Sequence, residues 1–476
     1  RMNIFDFDDY DEDADPSKRE HFDEEINRYK EMLKDGSGSI TNLEALEEIV
    51  NFYFDTEKYD QALKYTDMLV ALTPYSADAW ERKGMILNNL QRYADALECY
   101  EKALSLNPVD PDLLVNKAIA LDNLDRHTEA LELFDAVLDI DPANENALFN
   151  KGVTLEKLER YEEAGRLFRF IVDGDPEYKE AWYELGYCYD YLNRFTESIE
   201  CYDRHIDLDP YNYNAWYNRG IVLNRAEMYN KAIESYDMSL AIKEDFAAAW
   251  YNKGNAFANL GKLHDAIECY RRSVGIDPND VPAWHNMGNA YEELGQCKEA
   301  IRCFAKVLKL DPQHYESFFG RGSCYDILDQ HRKALSDYNK AIAIHRDYPE
   351  VWYAKANAEY NLGRLRESLA SIRMVLKLDP TNHEAWYDYA ETLCEFNRFK
   401  DAVKAYARAI ELKPEWAAPY LGAAEVCRTL GMSEEAQTAL RRALTLDPKV
   451  EDTLQEQYPE LWKLRNADPD PRAPAS

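Results

Sequence analysis

Large apolar side chains recur along this chain at one fixed interval. Trp80, Leu114, Leu148, Trp182, Trp216, Trp250, Trp284, Phe318, Trp352, Trp386 and Tyr420 lie 34 residues apart. Four positions after each comes Gly or Ala, from Gly84 to Ala424. Sixteen positions after each comes Ala or Ser. Four beyond that, most copies carry an aromatic ring: Tyr100, Phe134, Phe168, Tyr202, Tyr236, Tyr270, Phe304, Tyr338 and Tyr406. Proline recurs at the end of the copies, from Pro74 to Pro448, with Glu244 and Arg346 in its place twice. Apolar spacing of three and four inside each half predicts helix, not strand. A period of this size is that of one helical hairpin copied in tandem. The small residues let two antiparallel helices approach, and the ring fills the gap between them. Proline disfavours helix in the residue before it and lacks a backbone donor.

The register divides the chain without an insertion. Twelve units begin at Leu43, Ala77, Pro111, Glu145, Lys179, Tyr213, Ala247, Val281, Tyr315, Pro349, His383 and Ala417, so the array spans 43–450. The first copy is the most degraded, with Leu46 and Val50 at the large and small positions, as expected of an end unit that faces solvent on one side. The two junctions without proline are expected to be looser or continuous. Residues 1–16 mix acids with aromatics and are expected to be a disordered tail. Residues 17–35 place Phe22, Ile26, Tyr29 and Leu33 on one helical face, a capping or docking helix, and 36–42 read as a linker. Residues 451–464 suggest a capping helix interrupted by Pro459, and 465–476 a loose tail. Arg1 precedes Met2, the residue expected to begin the native chain.

The segments Ala249-Trp250-Tyr251-Asn252-Lys253-Gly254-Asn255-Ala256 and Asp265-Ala266-Ile267-Glu268-Cys269-Tyr270 resemble the first- and second-helix consensus of the tetratricopeptide repeat family. The resemblance covers all twelve units. It implies an all-α, right-handed α-solenoid superhelix of helix-turn-helix repeats, with first helices lining a concave groove. Two stripes would then face that groove. Two positions after the large anchor stand Asn116, Asn150, Asn218, Asn252 and Asn286, each offering an amide donor and acceptor to an extended peptide backbone. This row resembles the asparagine ladder of O-linked N-acetylglucosamine transferase repeat domains. It is equally readable as family consensus, and Glu184, Gly320, Asp388 and others interrupt it. One position after the anchor stand Phe149, Tyr183, Tyr217, Tyr251, His285, Phe319, Tyr353 and Tyr387, rings suited either to holding partner side chains or to packing on the next repeat. Family members that grip the carboxylate terminus of chaperones use Lys beside the anchor. No repeat here has Lys or Arg there, which excludes that subclass. Lys83, Lys117, Lys151, Lys253 and Lys355, three after the anchor, are expected to lay their stems along the helix and meet acids.

Charge narrows the partner. The formal net charge is −33, from 56 Lys and Arg against 89 Asp and Glu. Residues 1–42 hold 13 acidic and 6 basic side chains, or −7, so −26 lies beyond them. Nucleic acid would be repelled, and a basic or aromatic-rich protein segment is the natural complement. Asp122, Glu156, Asp190, Glu292 and Asp326 are groove-side candidates. Nine cysteines without Cys-x-x-Cys or zinc spacing indicate packing in a reducing, cytoplasmic setting. Cys201 and His205 lie four apart, but further ligands are lacking, and no metal or cofactor is expected. No apolar run is long enough to span a membrane, and no metalloprotease, P-loop or nucleophile-elbow motif is present. The sequence therefore reads as a non-enzymatic interaction scaffold that binds an extended peptide through the two stripes. A structural subunit or assembly factor acting through its ends and convex face, with self-association, is the alternative. An adaptor delivering substrate to a separate enzyme is a weaker one.

Overall fold

The computed structural model describes residues 43–449, Leu454 and 459–466. The expectations for the acidic tail, the 17–35 helix, the linker and the last residues lie outside these. Among the described residues stand twelve consecutive helix pairs, from Leu43–Asp55 with Tyr59–Leu72 to Ala417–Thr429 with Ser433–Leu446. Each first helix has 13 residues and each second 14, as in Ala77–Asn89 and Tyr93–Leu106. The chain forms two compact units, one ending at Val222 and one beginning at Leu223, within the helix Tyr213–Arg225. Nothing in the local sequence marks that place.

The turn inside each pair rests on one residue, eleven positions after the anchor, held in the left-handed region. It is Gly261, Gly295, Gly363 and Gly431 in four pairs, but Gln91, Asp125, Glu159 and Asn193 in others, with φ near +60°. Such a residue closes a helix end by returning backbone N–H groups to its last carbonyls. Here Arg92 N–H reaches Leu87 O at 2.8 Å. For a residue with a Cβ the conformation costs about 1–2 kcal/mol.

Within a pair, the small residue of the first helix sits against the ring of the second. A Cβ on Gly84 would lie 2.5 Å from Tyr100 Cε1, and one on Gly254 2.6 Å from Tyr270 Cε1. The rings themselves are fully buried, among them Tyr100, Phe134 and Phe168 in the first unit and Tyr270, Phe304 and Tyr338 in the second. Each such ring withdraws enough apolar area from water to stabilise its pair by about 1.5–3 kcal/mol.

Between pairs, the anchor does more than fill space. The indole N–H of Trp80, Trp182 and Trp216 donates to the carbonyls of Pro74, Pro176 and Pro210 at 3.0, 2.9 and 2.9 Å. In the second unit Trp250 and Trp352 make the same bond to Glu244 O and Arg346 O, at 2.9 and 2.8 Å. The partner is a backbone carbonyl, so any residue supplies it. The preceding helices end at Ile242 and Ile344 as elsewhere. The helix end and the indole clasp persist at both junctions because neither depends on proline, while residues 345–348 lack the turn that the Glu244 junction keeps.

At the far end of the second unit, Leu454 and Leu461 are buried against Leu421, Leu440 and Ala443. Leu454 is helical, and the helix Pro459–Asn466 begins at the proline, the position where its missing N–H is harmless.

Candidate functional site

The two stripes lie on the first helices, and all of their residues are half-buried. Their principal contacts were not legible separately. In the first unit Asn218 Nδ2 donates to Tyr183 OH at 2.6 Å, and Asn116 Nδ2 donates to Glu81 Oε1 at 2.9 Å. In the second, Asn286 Nδ2 donates to Tyr251 OH at 3.1 Å and to Asn255 Oδ1 at 3.0 Å. Where Asp388 replaces Asn, the direction reverses and Tyr353 OH donates to its carboxylate. The rule is one bond between the position after an anchor and the position two after the next anchor. Asn150 departs from it, donating to Asn146 O of its own helix at 2.8 Å. The asparagine row is therefore partly a set of clasps between repeats. An amide has two N–H groups and a carbonyl, so a single clasp does not use its whole capacity.

The rings pack sideways as well. Phe149 meets Phe168 and Tyr178, each at 5.6 Å between centroids. Tyr183 meets Tyr202 edge-on at 5.6 Å, Tyr251 meets Tyr270 at 6.0 Å, and Phe319 meets Tyr348 at 5.5 Å. Tyr387 contacts Trp416 at 4.9 Å. The residue just before each first helix either caps it or supplies such a ring. Asn144 Oδ1 accepts from Ala147 N–H at 2.9 Å, whereas Tyr178, Tyr348 and Trp416 give no cap and pack edge-on or tilted against the preceding stripe ring. Burial raises the Tyr183 and Tyr353 hydroxyls above the usual phenol value. His285, the one imidazole in the stripe, bonds Ser317 Oγ through Nδ1 at 2.9 Å, and burial pushes it down to about 4.

The basic residues three after the anchor are neutralised as expected. Lys83 meets Asp67 at 2.8 Å and Arg219 meets Asp203 at 2.6 Å, each acid lying on the second helix of the preceding pair, whereas Arg321 meets Asp337 at 2.7 Å on the second helix of its own pair. The same cations lie over the anchor rings, Lys253 and Lys355 both 5.0 Å from theirs.

The acids eight after the anchor are not equivalent. Asp122 is 6% exposed and paired with His127 at 2.7 Å and with Lys157. Asp326 holds His331 Nδ1 at 2.5 Å. Glu156 accepts from Cys188 Sγ at 3.0 Å and is hydrogen-bonded to Glu184, which sits at a ladder position and is only 4% exposed. Burial, and then the neighbouring carboxylate, raise Glu156 well above the carboxylate range. Burial brings Glu184 to about 7 despite the opposing hydrogen bond from Glu156.

In the second unit a cavity of about 490 Å³ opens between the helices Tyr315–Ile327 and Pro349–Asn361 and the turn at Asp379. Phe319 and Tyr353 of the ring stripe line it together with Asp326, Glu350, Asp379 and Asn357. The sequence reading missed Glu350, Asp379 and Asn357, since they come from a first turn, a connecting turn and the far end of a helix. Only the recurrence of Asn255, Asn289 and Asn357 hinted at the last. His205 does not join Cys201 in a metal site. Its Nδ1 is bonded to Lys179 O at 2.8 Å and its ring lies 5.4 Å from Tyr183. Among the described residues no cluster of three or more His, Cys, Asp or Glu could hold a metal ion, and no helix is long and apolar enough to cross a membrane.

Family models described as tetratricopeptide repeat match residues 77–110, 180–212, 247–280 and 281–314, residues 353–417, residues 99–132, and residues 315–348 and 417–450, more than half of the chain together. The chain belongs to the tetratricopeptide repeat family. Several matches begin where the units do, at Ala77, Ala247, Val281, Tyr315 and Ala417. As a protein of this family it is a scaffold of the protein-interaction type, a class that binds protein or peptide partners and is generally non-catalytic. No curated protein matches it. Among solved structures it is similar to YrrB, described as a TPR protein with an unusual peptide-binding site. That alignment has 26% identity and a TM-score of 0.36, and covers 40% of this chain and 97% of that one. MamA is similar at 25% identity and a TM-score of 0.33, over 35% of this chain and 96% of that one. The Cut9–Hcn1 hetero-tetramer of APC/C is similar at 13% identity and a TM-score of 0.40, over 90% and 96%.

Proposed function

We propose that this protein binds an extended, basic or aromatic-rich peptide segment along the first-helix face, without catalysis of its own and in the cytoplasm. The single observation that carries the reading is the partly exposed double stripe, in which Asn218 and Asn286 are each clasped to a tyrosine of the preceding repeat. In the first unit the contact residues are Asn116, Asn150, Phe149, Tyr183, Tyr217 and Asn218. In the second they are Tyr251, Asn252, Asn286, Phe319, Tyr353 and Tyr387. A clasped amide is held in one orientation before the peptide arrives, which lowers the ordering cost of binding. Rings that keep part of their surface open offer contact area at low entropy cost. The net charge of −33 favours a cationic segment in both rate and selectivity.

The test is a display library of extended peptides selected on the wild-type protein and counter-screened on a triple variant, Asn150→Ala, Asn218→Ala, Asn252→Ala. Peptides enriched in Lys, Arg and aromatics, with binding lost in a variant that keeps its helical signal and melting temperature, support the reading. Equal binding by both proteins overturns the ladder. The competing reading, assembly through other surfaces or self-association, has its own candidates in Tyr75 and Tyr211. These are 86% and 81% exposed in the turns between pairs. Sedimentation velocity on the wild type and a Tyr75→Ser, Tyr211→Ser variant decides it.

A further inference from the structure

The cavity in the second unit combines two features. One wall is aromatic, from Phe319 and Tyr353, and the rim is acidic, from Asp326, Glu350 and Asp379. No Lys or Arg lines it. Elsewhere acids that face a neighbouring repeat are matched by a cation in pairs such as Lys83–Asp67 and Lys253–Asp237. Asp326 has one oxygen on His331, and Asp379 Oδ1 caps its own turn by accepting from Thr381 N–H at 2.9 Å. A carboxylate has more acceptor sites than one oxygen fills. Glu350, exposed in the first turn of its helix, lines the cavity as well.

We propose that this cavity receives the guanidinium of an arginine presented by the bound segment. The occupant follows from the walls. A planar, delocalised cation stacks on a ring face and at the same time directs N–H groups at carboxylates in its plane, and it sheds water more readily than an ammonium does. A lysine satisfies the rim but uses the rings poorly, and a neutral aromatic uses the rings but leaves the acids unmatched. At about 490 Å³ the cavity admits a three-carbon stem with its planar head and leaves room for neighbouring residues of the segment, so the chemistry of the walls and not the volume makes the choice. The proposal names the partner chemistry of one part of the face described above. It rests on that reading for the origin of the arginine, but not for the pocket's preference.

The experiment therefore probes the pocket directly on the full chain. Saturation-transfer NMR is run with N-acetyl-arginine amide, N-acetyl-lysine amide and N-acetyl-citrulline amide, each at about 10 mM, the range where a single side chain is expected to bind. The arginine derivative is expected to bind at least tenfold more tightly than the citrulline one and several-fold more tightly than the lysine one. Glu350→Gln, at an exposed site, is expected to weaken it several-fold, and Ala354→Leu, which fills the cavity floor, to abolish it. If Ala354→Leu loses its helical signal, Glu350→Gln alone carries the decision. Equal binding of arginine and citrulline derivatives, binding of none of the three, or insensitivity to Glu350→Gln overturns the proposal. The triple asparagine variant is included as the separating control. Arginine binding retained there while peptide binding is lost, or wild-type peptide binding without arginine preference, shows which of the two readings has failed.

Discussion

Glu184→Gln is expected to stabilise the protein at alkaline pH and to leave it nearly unchanged in acid. Glu184 occupies a ladder position on the helix Lys179–Tyr191 and is 4% exposed, hydrogen-bonded to Glu156, with Cys188 donating to the latter. Burial raises its folded-state pKa from 4.5 to about 7. The neutral form is therefore the one the fold accommodates. A carboxyl whose folded pKa is raised contributes its stability fully below the unfolded value. That contribution is lost as pH climbs through the folded value, because the unfolded chain ionises first. The window runs from about pH 4.5 to about pH 7. With 1.36 kcal/mol per unit, the penalty at pH 8 is on the order of 3 kcal/mol. Glutamine has the shape of the protonated acid and no charge to bury, so it removes most of this penalty. It also relieves Glu156, which Glu184 pushes upward. The assay is hydrogen exchange of the amides in Lys179–Tyr191 at pH 5 and pH 8, corrected for intrinsic rates, because repeat arrays open locally and a single global midpoint averages the effect away. The variant should be protected more than wild type at pH 8, by a factor of ten or more, and about equally at pH 5. A gain of the same size at both pH values, or a loss at pH 8, refutes the reasoning that ionisation of the buried Glu184 is the cause.

Three further outcomes follow from the packing. Trp250→Phe removes the 2.9 Å bond to Glu244 O and should cost about 1 kcal/mol beyond lost area, while Glu244→Pro should cost little because the carbonyl remains; urea unfolding of the two variants checks the contrast. Gly254→Ala places a Cβ 2.6 Å from the Tyr270 ring and should destabilise by about 1–3 kcal/mol, with recovery when Tyr270→Leu is added, as the pair Ala424 with Leu440 suggests; equal melting of the single and double variants would contradict this. Gln91→Gly relieves a left-handed residue at φ 58° and should stabilise by up to about 1 kcal/mol, less the extra entropy glycine gives the unfolded chain, read as a rise in local exchange protection.

The sequence by itself determined the helix pairs, their register and their number, and the family. Each hairpin needs only its own small residue, ring and end signals, together with the surface of the next copy. All of that repeats within 34 residues, so Gly84 and Tyr100 can be paired from spacing alone. It also placed the lysines against acids, because the cation three after an anchor lies 16 residues from an acid on the preceding second helix, as in Lys83 and Asp67. What it left undecided was which of two equal readings each stripe residue follows. Asn218 as ladder amide and Asn218 as clasp to Tyr183 have the same sequence signature, and only the approach of neighbouring first helices, 35 residues apart, separates them. The left-handed turn residue was hidden wherever a side chain replaced glycine, since tertiary contacts outweigh a local strain of about 1–2 kcal/mol. Glu184 and Glu156 are two acids among 89 until packing withdraws both from water, and Glu350 and Asp379 are ordinary surface acids until the turn brings them to the rim beside Tyr353. Short-range periodicity is written in every copy. The chemistry of a site depends on which few copies depart from it, and on distances across repeats that the pattern does not encode.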